Sequence, residues 1–438
     1  MKGNQWQNRA RAIPFWEEQL TEDLLQYIWQ FQYFNNTGLV TTAGEKLMII
    51  HPGTKNQNQG PDFLAARLTI NGVLLSGAVE IHVRSRLWRN HGHDHDENYK
   101  SVILHVVFED DAQDARMPVL ELRSRISKLM LERYRTLTES RNFIPCQDSI
   151  GSVAPLILNS WLERLILEKL AVKSEKINSD LDLHNQHWEK VFWWHLAGGF
   201  GLRVNQESFY VVAQSLPLRV LAAHRQQIQQ VEALLLGQCG LLAKEYIEHY
   251  PRLLKKEYAF LQRKYGLRPV HMPVYFHRMR PANFPTLRLA QLAMLIFQQK
   301  HFFATVLETK TVWDMRAHLL VTANDYWHYH YRLDQPTSYS PKSLGSSTID
   351  TIISNIIIPF LFCYGNRNKS SLYIDRAVEW LQQLPPENNA IIEGFSKLGV
   401  EAKDAFNSQS LLYLKTRYCD AKLCLQCSVG NQLLKAPG

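Results

Sequence analysis

The sequence predicts an α/β domain with a mixed sheet over residues 1–145, followed by a large, mainly α-helical region over residues 146–438. Two observations carry the first part. "FLAARLTI" leads through Asn71-Gly72 into "VLLSGAVEIHV", and Asn-Gly between two apolar runs is a strong hairpin signal. "SVILHVVFE" is apolar on both faces, as a central strand is. A third observation carries the second part: from about Ser127 the apolar residues recur at helical rather than strand spacing.

The elements follow in order. Leu20, Leu24, Ile28 and Phe31 stand at steps of three and four, which predicts an amphipathic helix over 15–31. "KLMIIH" is strand-like and ends at Pro52-Gly53. A polar stretch from Arg84 to Tyr99 separates the hairpin from the central strand. Helices are then expected near 127–139, 159–178, 187–197, 206–236, 240–264, 286–301, 349–362, 372–384 and 401–417, with "LDQPTSYSPKSLGSS" as an exposed loop.

The 438 residues are 45% hydrophobic and 21% charged, a composition of folded domains rather than of disorder. The first twenty residues lack the apolar stretch of a signal peptide, and no run approaches the roughly 18 apolar residues of a membrane span. The expectation is a soluble, cytoplasmic protein with no membrane partner. Net charge is +8, and its distribution is uneven: residues 1–150 hold 17 Lys plus Arg against 18 Asp plus Glu, the rest 32 against 23. Any electrostatic grip on nucleic acid is therefore expected from the C-terminal part.

Five of the 17 histidines fall between His82 and His105, a density that suits polar chemistry rather than packing. In "AVEIHV", alternation sends Val79, Ile81 and Val83 to one face and Glu80 and His82 to the other. Pairing across Asn71-Gly72 sets Leu64 against Val79, Ala66 against Gly77, Leu68 against Leu75 and Ile70 against Val73. Strict register then puts Asp62 opposite Ile81, on the buried side. A one-residue bulge, at Gly77, or a turn at Gly60-Pro61 is needed to bring its carboxylate to Glu80 and His82. "WRNHGHDHDENY" adds His91, His93 and Asp96 as further candidates, while His95 reads as part of a solvated loop and His105 as either a core histidine or a catalytic one.

"GPDF" with Asp62, then Glu80-Ile81-His82, following a helix and a strand, resembles the PD-(D/E)xK nuclease core. The resemblance implies a restriction-endonuclease-like fold for the α/β domain. It also implies a divalent metal held by Asp62 and Glu80, with Mg²⁺ or Mn²⁺ the ions expected, and water attack on a phosphodiester of DNA or RNA. His82 stands where that core has a lysine, and as an imidazole it can serve as general base or as ligand, favouring Mn²⁺, Fe²⁺ or Zn²⁺. His91, His93 and Asp96 would assist. A catalytically inactive nucleic-acid or protein interaction module and a metallohydrolase of small phosphate or other esters are the alternatives.

Near the C-terminus, "YCDAKLCLQC" spaces Cys419, Cys424 and Cys427 as C-x4-C-x2-C, which suits Zn²⁺ or an iron–sulfur cluster. Cys146 can supply a fourth ligand; buried free thiols are the other reading. Cys239 and Cys363 lie in apolar helices and read as core. "YPRLLKKEYAFLQRKYGLRP" interleaves Arg252, Lys255, Lys256, Arg263, Lys264 and Arg268 with Tyr258 and Tyr265, followed by Arg278, Arg280 and Arg288. It is either a strand-tracking nucleic-acid surface or an amphipathic helix with Leu253, Leu254 and Leu261 inward. Taken together, "GPDF", "GAVEIH", "NYKSVILHVVFE", "SLPLRVLAAH", "RPANFPTLRLAQLA", "STIDTIISNIIIPFLF" and "YLKTRYCDAKLCLQC" resemble a large bacterial family of unknown function.

Overall fold

The computed structural model describes residues 20–93, 96–112 and 117–435. The chain forms two compact units, Met1–Trp161 with Leu414–Gly438, and Leu162–Tyr413. The boundary expected at residue 145 therefore moves, and the C-terminal cysteine segment belongs to the α/β unit instead of the helical one. Apolar burial is the reason: Cys424 and Leu434 enter the core of the first unit, with Cys146 and Leu425 packed against it.

The sheet of the first unit is mixed, as expected. Its strands are β1 (Leu47–His51), β2 (Thr54–Lys55), β3 (Phe63–Ile70), β4 (Val73–Arg84), β5 (Val102–Glu109) and β6 (Val119–Glu121), in the order β1-β3-β4-β5-β6 with β2 beside β3. β3 pairs antiparallel with both β1 and β4, whereas β4, β5 and β6 run parallel. The Asn71-Gly72 turn has positive φ at both residues, the type I′ geometry for which Asn-Gly is selected. Helix α1 (Glu22–Gln30) starts where Thr21 caps the Leu24 N–H. It buries Leu24, Leu25, Ile28 and Trp29, and the Trp29 indole donates to the Pro52 carbonyl at 2.9 Å. Residues 15–19 of the expected helix lie outside the described residues.

The hairpin register breaks once. Ile70 pairs with Val73, Leu68 with Leu75 and Ala66 with Gly77, as the sequence predicts, but Phe63 rather than Leu64 pairs with Val79. The extra residue sits in β3, where Ala65 has φ +56° and Leu64 is 42% exposed. This bulge puts the fully buried Phe63 into the core and turns Asp62 toward Glu80. Gly77, the position expected to carry the bulge, has another duty. A Cβ there would meet the Ser101 carbonyl at 2.4 Å and Ile103 at 2.5 Å, so glycine admits β5 where its own register shifts beside Ala78 and Val79.

The second unit is helical. The long helix Pro155–Leu183 leads into Trp188–Phe200, Pro285–Gln298, Ser371–Gln383 and Ala405–Tyr413 among others. The helix expected over 206–236 is three: Leu202–Ser215, Leu218–His224 and Ile228–Gln238. Pro217 lacks the N–H that a continuous helix would use, and it stands where the first ends and the second begins. Ser346–Arg367 is a continuous helical stretch long and apolar enough to cross a membrane, against the sequence expectation; 67% of its apolar window is buried inside the fold, as a core helix requires.

The basic stretch takes the amphipathic-helix form of the two that the sequence offered, while Arg288 departs from the exposed basic set. In the helix His249–Tyr265, Leu254, Leu261 and Tyr258 are buried, Tyr258 donating to Gln238 at 2.6 Å, while Tyr265 bonds His224 at 2.8 Å. Tyr258 thus belongs to the core and Tyr265 packs against it, and Arg252, Lys256, Arg263, Lys264 and Arg268 form a solvated face, with Lys264 over the Tyr265 ring at 5.1 Å. Arg288 is buried, its guanidinium donating to Gln291, Asn283 and Thr348.

Glu232 supplies a test of this unit's packing. Its buried carboxylate accepts from the Trp327 indole, the Tyr250 hydroxyl and the Asn324 amide, yet burial outweighs these donors and raises its pKa to about 8. The folded state therefore holds a proton that the unfolded chain has released between about pH 4.5 and 8, so stability falls as pH rises through that window. Glu232→Gln is expected to be less stable than wild type at pH 5 and to show a shallower fall in melting temperature from pH 5 to pH 8.5. Parallel curves for the two proteins would contradict this.

Candidate functional site

Side chains from three places converge on the face of β4 opposite its Val79–Ile81 core. Glu80 and His82 alternate onto that face, and both are buried, at 5% and 1% exposure. Asp62 enters through the β3 bulge. Its backbone N–H donates to Glu80 Oε2 at 3.0 Å, its Oδ2 accepts the Ile81 N–H at 3.0 Å, and its Oδ1 accepts Gln26 of α1 at 2.7 Å. Each Asp62 oxygen thus has a protein donor, and the carboxylate locks the start of β3 to β4.

The cover over the site is the connection between β4 and β5. It consists of the short helix α2 (Leu87–Asn90) and a 3₁₀ turn over Glu97–Tyr99. From it come His91 and His93, and among the described residues the ligand atoms of His82, His91 and His93 all lie within 4.8 Å of one another. His82 Nε2 is 3.2 Å from His91 Nδ1 and 3.6 Å from Glu80 Oε1, while His93 Nε2 is 3.5 Å from that same oxygen. On the other side, His82 Nδ1 is 2.9 Å from Nε2 of the buried His105, which fixes the ring plane of His82. The His93 ring lies between those of His82 and Tyr99, nearly parallel to both, with its centroid 3.8 Å from that of Tyr99. Trp88 packs edgewise on His93.

These separations can be compared with a metal polyhedron. Two donor atoms, each about 2.1 Å from a tetrahedral ion, stand about 3.4 Å apart. Three edges among His82, His91, His93 and Glu80 are 3.2, 3.6 and 3.5 Å, close to that value, so these donors stand near the spacing that one ion would require.

The electrostatics agree with the geometry. Burial, reinforced by the neighbouring imidazoles, lowers the His82 pKa to about 3, which keeps its ring neutral and the lone pair of one ring nitrogen available. Burial and the Asp62 charge raise Glu80 to about 8; burial raises Asp62 to about 6 against the pull of the Ile81 and Gln26 donors. Two buried carboxyls side by side resist full ionisation, and a cation removes that penalty.

Of the residues singled out in the sequence, Asp62, Glu80, His82, His91 and His93 are brought together. Asp96 is not one of the cluster: it is exposed, and its carboxylate caps the 3₁₀ turn by accepting from the Asn98 N–H and side-chain amide, both at 2.9 Å. Local capping has claimed an acidic residue that looked like a ligand. His95 lies outside the described residues. Cys146, Cys419, Cys424 and Cys427 form a separate group. Sequence reasoning missed Gln26, Trp88 and Tyr99; the two aromatics, isolated in a polar stretch, are the one signal that pointed to them. A cavity of about 510 Å³ in the helical unit is lined mainly by apolar residues such as Phe192, Trp193 and Leu295, with His187, Glu189 and His301 also on its wall, and among the described residues it holds no group like that of His82, His91 and His93.

A model of the family described as "Protein of unknown function (DUF2851)" matches residues 22–390. Comparisons with curated proteins and with solved structures give no match.

Proposed function

From the premise that the chain belongs to this family of unknown function, which brings no reaction with it, we propose on the site alone that the protein is a metal-dependent phosphodiesterase of nuclease type. The observation that carries the reading is the His82–His91–His93 triad, its ligand atoms within 4.8 Å of one another, with Glu80 Oε1 3.6 Å from His82 and 3.5 Å from His93. Those four residues would hold the ion, which supplies Lewis-acid polarisation of the phosphate and an acidified water. Three imidazoles favour Mn²⁺, Fe²⁺ or Zn²⁺ over Mg²⁺. Asp62, its oxygens engaged by Gln26 and Ile81, is the positioning residue that seats Glu80, and His105 does the same for His82.

The choice of phosphodiesters is supported by the order of elements. A helix precedes three antiparallel strands, the acidic residue opens the second long strand, Glu80 and His82 lie on the third, and β5 returns parallel. This order is similar to that expected of a PD-(D/E)xK core, with a short helical turn in place of a full crossover helix, and it supports the reading. The test is cleavage of labelled single- and double-stranded DNA and RNA with Mg²⁺, Mn²⁺, Fe²⁺ or Zn²⁺ in turn. Cleavage with at least one of the three softer ions, exceeding that with Mg²⁺, is the expected result. Retained nucleic-acid binding with no cleavage under any ion would instead support an interaction module.

A further inference from the structure

The four cysteines of the first unit lie outside this chemistry, and they share one small cavity. Cys146, Cys419, Cys424 and Cys427 line one cavity of about 20 Å³, closed by Pro145, Tyr418, Leu423 and Gly430. Six cysteines occur in the chain, and the remaining two are buried in the helical unit, where Cys363 donates to Asn178. Thiols 273 positions apart in sequence, Cys146 and Cys419, do not share a pocket by local propensity.

The backbone around them is shaped to that pocket. Lys422 adopts φ +53° and its ammonium bonds the Thr138 carbonyl at the end of α3 (Lys128–Glu139), which ties the turn in place. Cys424–Gln426 forms a 3₁₀ turn, and the helix Ser428–Lys435 begins directly after Cys427. Burial on balance pushes the Cys427 thiol up, and the Val429 and Gly430 N–H groups at the helix start pull the other way, toward the thiolate. Gly430 is required there: a Cβ would stand 2.2 Å from the Cys424 carbonyl oxygen. Backbone donors aimed at sulfur stabilise a thiolate, and several neighbouring thiolates persist in an apolar core only around a cation.

We propose that Cys146, Cys419, Cys424 and Cys427 form a closed tetrathiolate metal site, for zinc or an iron–sulfur cluster, that pins the C-terminal segment to the α/β unit. It is structural, because four protein ligands leave no open position for substrate. On binding, each thiol gives up its proton to solvent as its sulfur joins the metal, and no oxidation of the protein is involved.

The test is elemental analysis of the full-length protein purified anaerobically, alongside Cys419→Ser, Cys427→Ser and, as controls, Cys239→Ser and Glu80→Gln. The expected result is about one zinc per chain, or about four iron with acid-labile sulfide and visible absorbance. That metal should be lost in Cys419→Ser and Cys427→Ser and retained in Cys239→Ser and Glu80→Gln, which separates it from any ion at the histidines. Should the serine variants fail to fold, thiol titration of the native wild-type protein decides: the four thiols are expected to react only after a chelator or denaturant is added. Wild-type protein with neither metal, or with these cysteines paired as disulfides, would overturn the proposal.

Discussion

Glu80→Gln and His82→Ala are each expected to lower metal-dependent cleavage by more than ~100-fold, because loss of a direct ligand exceeds the 10–100-fold cost of losing an outer partner. Glu80→Gln is the cleaner change. It is isosteric, its carbonyl can still accept the Asp62 N–H now bound at 3.0 Å, and it removes the charge that faces His82 and His93. The fold should persist, as circular dichroism and melting temperature can confirm. Asp62→Asn probes a different role. Its remaining oxygen can accept the Ile81 N–H while its amide donates to a flipped Gln26, so the charge is lost with the bonds kept, and metal affinity should drop about 10–100-fold without being abolished. Equal activity of Glu80→Gln and wild type would remove Glu80 from the site.

The second large effect concerns the bulge. Deleting Leu64 and Ala65 together joins Phe63 to Ala66 and reverses the facing of everything before the cut, because strand side chains alternate with period two. Phe63, fully buried now, would move to the polar face, and Asp62 would turn toward the core opposite Val79. Loss of the Phe63 packing alone should cost about 3–5 kcal/mol, and metal binding should disappear with the Asp62–Glu80 contact. Deleting Ala65 alone removes the extra residue and keeps the facing of Phe63 and Asp62. Metal titration of the two deletion variants compares them directly: affinity near wild type for the single deletion, none for the double. If both variants bind alike, the facing of Asp62 does not set the site.

That bulge also marks where sequence reading stops. Asn71-Gly72 and the alternation of Val79, Glu80, Ile81 and His82 were legible because turn chemistry and period-two burial act locally. The need for an irregularity before Asp62 was legible too, since regular pairing buried its carboxylate. Its position was not. Glycine is the usual mark of a bulge, but Gly77 answers to Ser101 and Ile103 of the neighbouring strand, and the residue with positive φ is an alanine. Asp96 shows the reverse error: an acidic residue among histidines reads as a ligand until its cap to Asn98 is seen. In the helical unit, Pro217 was a visible break in the 206–236 periodicity, whereas the burial of Tyr258 and Arg288 depends on partners distant in sequence. The mixed sheet and the helical character of the rest followed from local pattern; the return of residues 414–438 to the first unit did not, because long-range contacts leave no periodic trace.

The most direct measurement is a crystal structure of the protein grown with Mn²⁺ or Zn²⁺, with the ion located by its anomalous scattering. The account predicts one peak bounded by His82 Nε2, His91 Nδ1, His93 Nε2 and Glu80 Oε1, with His105 still bonded to His82. A structure at saturating ion in which those four atoms keep only one another as partners, with the peak absent or elsewhere, would contradict it.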